Sequence, residues 1–255
     1  MKKRGSFKNR IRSGQVVYGG WTSLGHPSIA EMLCAAGFDF IGIDMEHSTL
    51  SLAQAQRVIT AAQATGTASL PRVSSHNGEQ IRRLLDAGAD GIIVPNVESA
   101  SQVEKILSWC KYPPLGQRSF GVARAQGYGF RFDEYVRSWN NRSVLIPQIE
   151  SVRGVEAAEE ILCNPQVDGA MIGPYDISGS LGIPGQLEHP RVRKACEQIL
   201  KVCRRLGKAC GTQIVDPNPQ RIKQAVSAGY HFVVLSSDIF LLWKWGEQVR
   251  RWIRR

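Results

Sequence analysis

The sequence predicts a single (βα)8 barrel of the TIM type over residues 1–255, and three observations carry that prediction. Eight short apolar runs, at about 15–20, 38–44, 67–73, 91–95, 144–150, 169–173, 209–213 and 231–235, alternate with stretches of helical periodicity. A unit recurs ahead of several of them: Ala36-Gly37-Phe38-Asp39, Ala87-Gly88-Ala89-Asp90 and Ala228-Gly229-Tyr230-His231, with a partial copy at Gln166-Val167-Asp168-Gly169. It reads as a helix stopped by glycine, a short loop and a buried parallel strand. The length of 255 residues suits this fold. No glycine-rich dinucleotide or phosphate-loop signature follows a strand, so an open doubly wound sheet has no support.

The elements follow in order. Residues 1–12 are basic but lead into no apolar signal core, so secretion is not expected. Asn77 can cap a helix that ends before Gly88. The connection from Tyr112 to Gly129 is long and rich in glycine, arginine and aromatic residues; it is expected to form an ordered rim around the barrel mouth. Asp216-Pro217 reads as a helix start and Gly229 as its stop. In the last segment, 238–255, Leu241, Leu242, Trp245, Val249, Trp252 and Ile253 recur at helical spacing with arginines on another face. That amphipathic helix can pack on its own barrel or on a neighbouring subunit.

The formal charge of +10 is concentrated at the two ends. Lys2, Lys3, Arg4, Lys8, Arg10 and Arg12 stand without an acid at one end. Lys244, Arg250, Arg251, Arg254 and Arg255 face only Glu247 at the other, and the body between is neutral. A solvated tail and a solvated helix face are the expected reading, with no nucleic acid as partner. No apolar stretch is long enough to span a bilayer. The six cysteines form no CxxC pair and suit buried thiols in a reducing cytoplasm.

Chemistry gathers at strand ends. Val144-Leu145-Ile146-Pro147-Gln148-Ile149-Glu150 and Gly169-Ala170-Met171-Ile172-Gly173-Pro174-Tyr175-Asp176 each deliver an acid as the chain leaves the core. A parallel barrel collects such ends on one face, so Glu150 and Asp176 can converge on a hard divalent cation such as Mg²⁺, Mn²⁺ or Co²⁺. Asp44-Met45-Glu46-His47 ends the second run; His47 can serve as a general base, with Asp44 or Glu46 orienting it. Arg72 finishes the third run, where it must face a carboxylate or a developing negative charge, with Glu150 or Asp44 as possible ion-pair partners. Such a set can form and hold the enolate of a 2-oxo acid. No lysine finishes a strand candidate, which disfavours a Schiff-base aldolase.

These stretches, together with Leu84-Leu85-Asp86-Ala87-Gly88, Val94-Pro95 and Tyr112-Pro113-Pro114, resemble the HpcH/HpaI aldolases from about Gly19 to Leu235. Those are metal-dependent (class II) pyruvate aldolases, with 4-hydroxy-2-oxo-heptane-1,7-dioate and 2-dehydro-3-deoxy-glucarate branches. The resemblance implies Glu150 and Asp176 as metal ligands, His47 as base and Arg72 as transition-state stabiliser. It implies substrate contacts at Gln148, Gly173, Tyr175 and Asp176, with Trp21 retained beside them, and Asp86 as an acid that raises the basicity of the histidine. Asp86, however, ends a predicted helix, away from the strand ends, so either that helix boundary differs or the contact is indirect or comes from another subunit. A hexamer built from dimers that exchange the last helix is implied as well. Tyr175 stands where a smaller residue is common, and Arg118-Ser119-Phe120-Gly121 departs from the usual Arg-Gly-Val-Gly. The expected reaction is reversible cleavage of a 4-hydroxy-2-oxo acid to pyruvate and an aldehyde. A related enolate-forming lyase (an oxaloacetate decarboxylase or acyl-CoA lyase) and a non-catalytic barrel that binds acidic partners through its basic ends are the alternatives.

Overall fold

The computed structural model describes residues 6–253, so Lys2, Lys3, Arg4, Arg254 and Arg255 lie outside the described residues. The chain begins with α1 (Phe7–Arg12), followed by β1 (Val17–Thr22), α2 (Pro27–Ala35), β2 (Phe40–Asp44), α3 (Leu52–Ala64), β3 (Ala68–Arg72), α4 (Gly78–Asp86), β4 (Gly91–Val94) and α5 (Ala100–Cys110). A 3-10 turn (Arg124–Gly129) and α6 (Phe132–Arg142) then precede β5 (Val144–Ile149). The second half holds α7 (Val152–Glu156), α8 (Ala158–Leu162), β6 (Gly169–Ile172), α9 (Pro174–Ser180), α10 (Pro190–Arg205), β7 (Ala209–Ile214), α11 (Pro219–Ala228), β8 (Phe232–Leu235) and α12 (Asp238–Ile253). The strands close in sequence order into one parallel barrel, β1 pairing with β8.

Local chemistry explains the boundaries. Asn77 caps α4 as its sequence position predicts, accepting from the backbone N–H groups of Glu79 and Gln80. Ser51 and Gln54 close a reciprocal capping box on α3. Gly229 ends α11 in the left-handed conformation, φ 103°. The start of α11 differs from the expected Asp216-Pro217: Asn218 is the cap and Pro219 the first helical residue. A second Asx-Pro pair lies two residues on, and Asp216 is used instead to accept from Arg221.

The period of two along each strand sorts the side chains. Val17, Trp21, Phe40, Ala68, Leu70, Ile93, Val144, Ile146, Met171, Phe232 and Val234 fill the barrel interior. The out-of-phase set, including Ile41, Ile43, Ile92, Leu145 and Ile172, packs against the helices. Gly42 makes room for the Trp21 ring, which a Cβ there would strike. In the same inward phase, one or two steps beyond the core, come Asp44, Arg72, Gln148 and Glu150.

Two expectations are corrected. Within the described residues, from Ser6 to Arg12, the basic start is not a solvated tail. α1 plugs the lower end of the barrel: Ile11 and Phe7 join the interior cluster, and Phe7 lies 5.5 Å from the Phe40 ring. Lys8 is buried and reaches Asp168 at 3.0 Å, Arg12 reaches Asp168 at 2.6 Å, and Arg10 reaches Asp39 at 2.6 Å. These charges neutralise acids at the bottom of the fold, so they are not available as a docking arm.

The Tyr112–Gly129 connection is not a rim of the barrel mouth. It joins a helix end to a strand start and therefore runs along the lower end. There Arg118 is fully buried among the rings of Tyr112, Tyr135 and Trp139, at 4.8, 5.6 and 4.8 Å, and bonds Asp86 at 2.6 Å. The last helix is present from Asp238, but Leu241, Leu242, Trp243, Trp245, Trp252 and Ile253 remain exposed in the single chain.

Candidate active site

The upper face of the barrel brings together residues from four strand ends. β2 and β3 pair in register with Asp44 opposite Arg72. Arg72 donates to Asp44 through Nε (3.2 Å) and Nη2 (2.9 Å), and its Nη1 lies 3.1 Å from Glu46 Oε2. The Trp21 ring lies beside this guanidinium, 5.2 Å from centroid to Cζ. Such a two-sided clamp fixes the arginine fork within the cleft. Burial alone pushes Asp44 up, but the Arg72 guanidinium, the His47 N–H and the Trp21 side chain outweigh it and hold the carboxyl below its ordinary value.

His47 stands in the loop after β2 with its side chain 70% exposed. Asp44 does not orient the ring; its Oδ1 accepts from the backbone N–H groups of Glu46 and His47 at 3.1 and 3.2 Å and so shapes the loop. Glu46 is the nearer acid, with Oε2 at 3.7 Å from His47 Nε2. Burial, with Asp44 and Asp176 adding to it, raises the Glu46 carboxyl despite Arg72 and His47.

The second half of the site is built on β5 and β6. Glu150 is buried, 9% exposed. The Asn96 N–H donates to its Oε1 at 2.6 Å, and the Gln148 amide donates to its Oε2. Burial nevertheless pushes Glu150 up to about 7. Asp176 enters from the first turn of α9, just beyond Gly173. A Cβ on Gly173 would sit 2.9 Å from Glu150 Oε2 and 3.3 Å from Asp176 Oδ2. The missing side chain is thus what lets two carboxylate oxygens approach one small space. Gln148 is 3% exposed, and its Oε1 has no hydrogen-bond partner. Two hard oxygen donors over a glycine, with an unsatisfied buried amide oxygen alongside, suit a divalent cation that completes its shell with water and ligand oxygens. Among the described residues no group of three or more His, Cys, Asp or Glu side chains could hold a metal ion by itself.

Of the residues singled out from sequence, the structure brings Asp44, His47, Arg72, Gln148, Glu150, Gly173 and Asp176 to one face. Trp21 supports that face from below, buried at 3% exposure. Tyr175 is exposed, and its hydroxyl approaches the Gly185 turn. Asp86 is not brought there: it ends α4 at the opposite end of the barrel and pairs with Arg118. Sequence reasoning missed Asn96 as the backbone donor to Glu150. It adopts φ 50°, and its place directly after Val94-Pro95 at the end of β4 was the available signal.

The sequence pattern of the HpcH/HpaI aldolase/citrate lyase family matches residues 18–244. The chain belongs to that family. This HpcH/HpaI barrel is 34% identical over 246 residues to a hydroxypyruvate/pyruvate aldolase of Roseobacter denitrificans, covering 96% of this chain and 95% of the relative. It is 33% identical to a 2-keto-3-deoxy-L-rhamnonate aldolase of Escherichia coli K12, covering 92% of this chain and 88% of the relative. A solved HpcH/HpaI aldolase/citrate lyase family structure from Burkholderia cenocepacia superposes with a TM-score of 0.90 at 32% identity, covering 97% and 98% of the two chains. By this membership the HpcH/HpaI barrel is a carbon–carbon lyase of the aldolase type. The reading of a non-catalytic barrel is set aside, and with it a partner for the α1 charges. No helix among the described residues is long and apolar enough to cross a membrane.

Proposed function

We propose that the protein cleaves a 4-hydroxy-2-oxo acid reversibly to pyruvate and an aldehyde, with a divalent cation held by Glu150 and Asp176. The observation that carries this reading is the convergence of Glu150 Oε2 and Asp176 Oδ2 over Gly173, on the same face as Arg72. Mg²⁺, Mn²⁺ or Co²⁺ suits this oxygen-donor set and, when bound, supplies Lewis-acid polarisation of the 2-oxo group. Arg72, fixed by Asp44 and Glu46, shares the negative charge that develops on the enolate oxygen. His47 removes the C4 hydroxyl proton in the cleavage direction, and Glu46 orients its ring. As that proton leaves, the C3–C4 bond breaks; its electron pair enters the pyruvate enolate and the aldehyde departs. The enolate then takes a proton at C3 from solvent to become pyruvate, and His47 gives its proton back to solvent. Gln148 and the Gly173–Asp176 backbone bind the pyruvate part, and Tyr175 borders the space for the aldehyde.

The named relatives support the donor, since pyruvate or hydroxypyruvate chemistry is in their names. The test is pyruvate release from a panel of 4-hydroxy-2-oxo acids, with and without EDTA. EDTA and Glu150→Gln are each expected to abolish release. Activity untouched by both would refute the metal mechanism, and decarboxylation without aldehyde formation would refute the aldol step. The same reading places a homo-oligomer in the cytoplasm, with the exposed apolar stripe of α12 covered by a neighbouring subunit, as in the hexamer the family resemblance implies.

A further inference from the structure

The lower end of the barrel holds a second built site, far from the strand-end carboxylates. A cavity of about 560 Å³ opens between the C-terminal end of α3, the turn into β4, the 3-10 turn and α6. That volume is in the range of small-molecule sites, ~300–1,000 Å³. Arg124, Arg131 and Arg142 line it, against one acid, Glu134. Elsewhere at this end guanidinium groups are consumed by carboxylates, as Arg10, Arg12 and Arg118 are. Arg131 and Arg142 make no ion pair among the described residues; Arg142 rests over the Tyr135 ring at 5.6 Å.

The walls are fixed in advance. Arg124 Nη1 donates to Gln63 Oε1 at 2.6 Å and to the Ala87 carbonyl at 2.9 Å, and Gln63 Nε2 donates to the Gly88 carbonyl at 2.6 Å. Gly88 is required for this arrangement, because a Cβ there would collide with Arg124 Nη1. Gly127, Tyr128 and Gly129 take successive positive φ values of 61°, 54° and 100°. For Tyr128 that conformation is costly, on the order of 1 kcal/mol or more. It places an exposed aromatic residue at the cavity edge.

We propose that this cavity binds a phosphate-bearing small molecule, its phosphate held by Arg124, Arg131 and Arg142 and its organic part lying against Tyr128. Guanidinium forks match phosphate oxygens in pairs; Arg124 and Arg142 also act on the buried Asp90 carboxylate, but with no carboxylate in ion-pair contact among the described residues the three forks favour a multivalent anion. A bare phosphate would leave most of the cavity unfilled, and an aromatic wall suits a base or a sugar ring. The site is independent of the aldolase reading, since it shares no residue with it.

The test is calorimetric titration of the full-length protein with inorganic phosphate, pyrophosphate and AMP, used as probes. Saturable binding is expected, with AMP tighter than inorganic phosphate. The double substitution Arg131→Gln/Arg142→Gln should weaken binding at least about tenfold, and Arg131→Lys/Arg142→Lys should recover only part of it. Arg131 and Arg142 are both exposed on the surface, and thermal melting verifies that the variants fold. Arg72→Gln should leave AMP binding unchanged. Three results would overturn the proposal: no saturable binding of any probe, loss of binding with Arg72→Gln but not with the double variant, or a change in oligomeric mass in the double variant without an anion effect. The last would mean that a neighbouring copy supplies the acids.

Discussion

At the scale of single residues, the site depends on a carboxylate that ordinary burial would keep protonated. Glu150 is pushed up to about 7, so near neutrality a cation must compete with a proton. Metal affinity is therefore expected to fall as pH drops below about 7, with proton release on binding. Titrating the cation in buffers of different ionisation enthalpy measures that release; a release of zero from pH 6 to 7 would contradict it. The linkage has a second side. With the folded pKa raised above its unfolded value of 4.5, the metal-free protein is favoured by this group at acid pH, and that contribution is lost as pH rises through about 7. Gly173 gives a sharper probe. Gly173→Ala would place a Cβ 2.8 Å from Glu150 Cβ and 2.9 Å from its Oε2, forcing the two carboxylates apart. The expected result is a loss of cation affinity of about tenfold or more, by analogy with misplaced supporting groups at metal sites, together with a lower melting temperature, because Glu150 Cβ cannot swing aside as a side-chain end can.

At the scale of elements, the long connection before β5 is held by one arginine. Arg118 is buried beneath three rings and paired with Asp86, so its removal leaves an aromatic cage empty and a carboxylate without its partner. The Asp86 side chain is 34% exposed and can be solvated, so the cost of Arg118→Ala comes mainly from the emptied cage: about 2–5 kcal/mol, as for large-to-small core substitutions, measured by urea unfolding. Arg118→Lys should recover little, because the ammonium cannot span the stacked rings and Asp86 together. A change below about 1 kcal/mol would show that the pair behaves as a surface contact. The connection carried a legible composition but not a legible position. Glycine, arginine and aromatic residues suggest an ordered loop, and only the direction of the chain through the barrel puts it at the lower end.

At the scale of the whole molecule, α1 and the lower end form one buried electrostatic unit. Lys111 donates to the Asn140 and Ser143 carbonyls and to Ser143 Oγ at 3.1, 3.2 and 2.6 Å, and Lys8 shares the Ser143 carbonyl at 2.8 Å. Burial, with Lys8 adding to it, lowers Lys111 to about 7. The unfolded chain then binds more protons than the folded one between about 7 and 10.5, so this group makes stability rise with pH across that window. Lys111→Met should flatten the rise in unfolding free energy between pH 7 and 10 relative to the natural protein. An unchanged slope would assign the effect elsewhere. At the same scale, removing residues 243–255 takes away Trp243, Trp245 and Trp252, which stand exposed on α12. Sedimentation analysis is expected to show a smaller assembly after that truncation; an unaltered mass would rule out α12 as the interface.

The repeat of helix, glycine stop and buried strand determined the closed eight-stranded barrel, because period-two burial and parallel pairing leave few other arrangements for such a chain. The same period determined that Asp44, Arg72, Gln148 and Glu150 point inward, since each lies in phase with interior residues of its own strand. Tertiary structure alone decided their partners. Arg72 pairs with Asp44 and Glu46 rather than Glu150, because strand register sets β2 beside β3. It also decided that Asp86 serves Arg118 and that Lys8, Arg10 and Arg12 pair with Asp168 and Asp39 at the lower end. Charge is visible in a sequence, but whether a charge meets water or an opposite charge depends on which end of the barrel the chain brings it to.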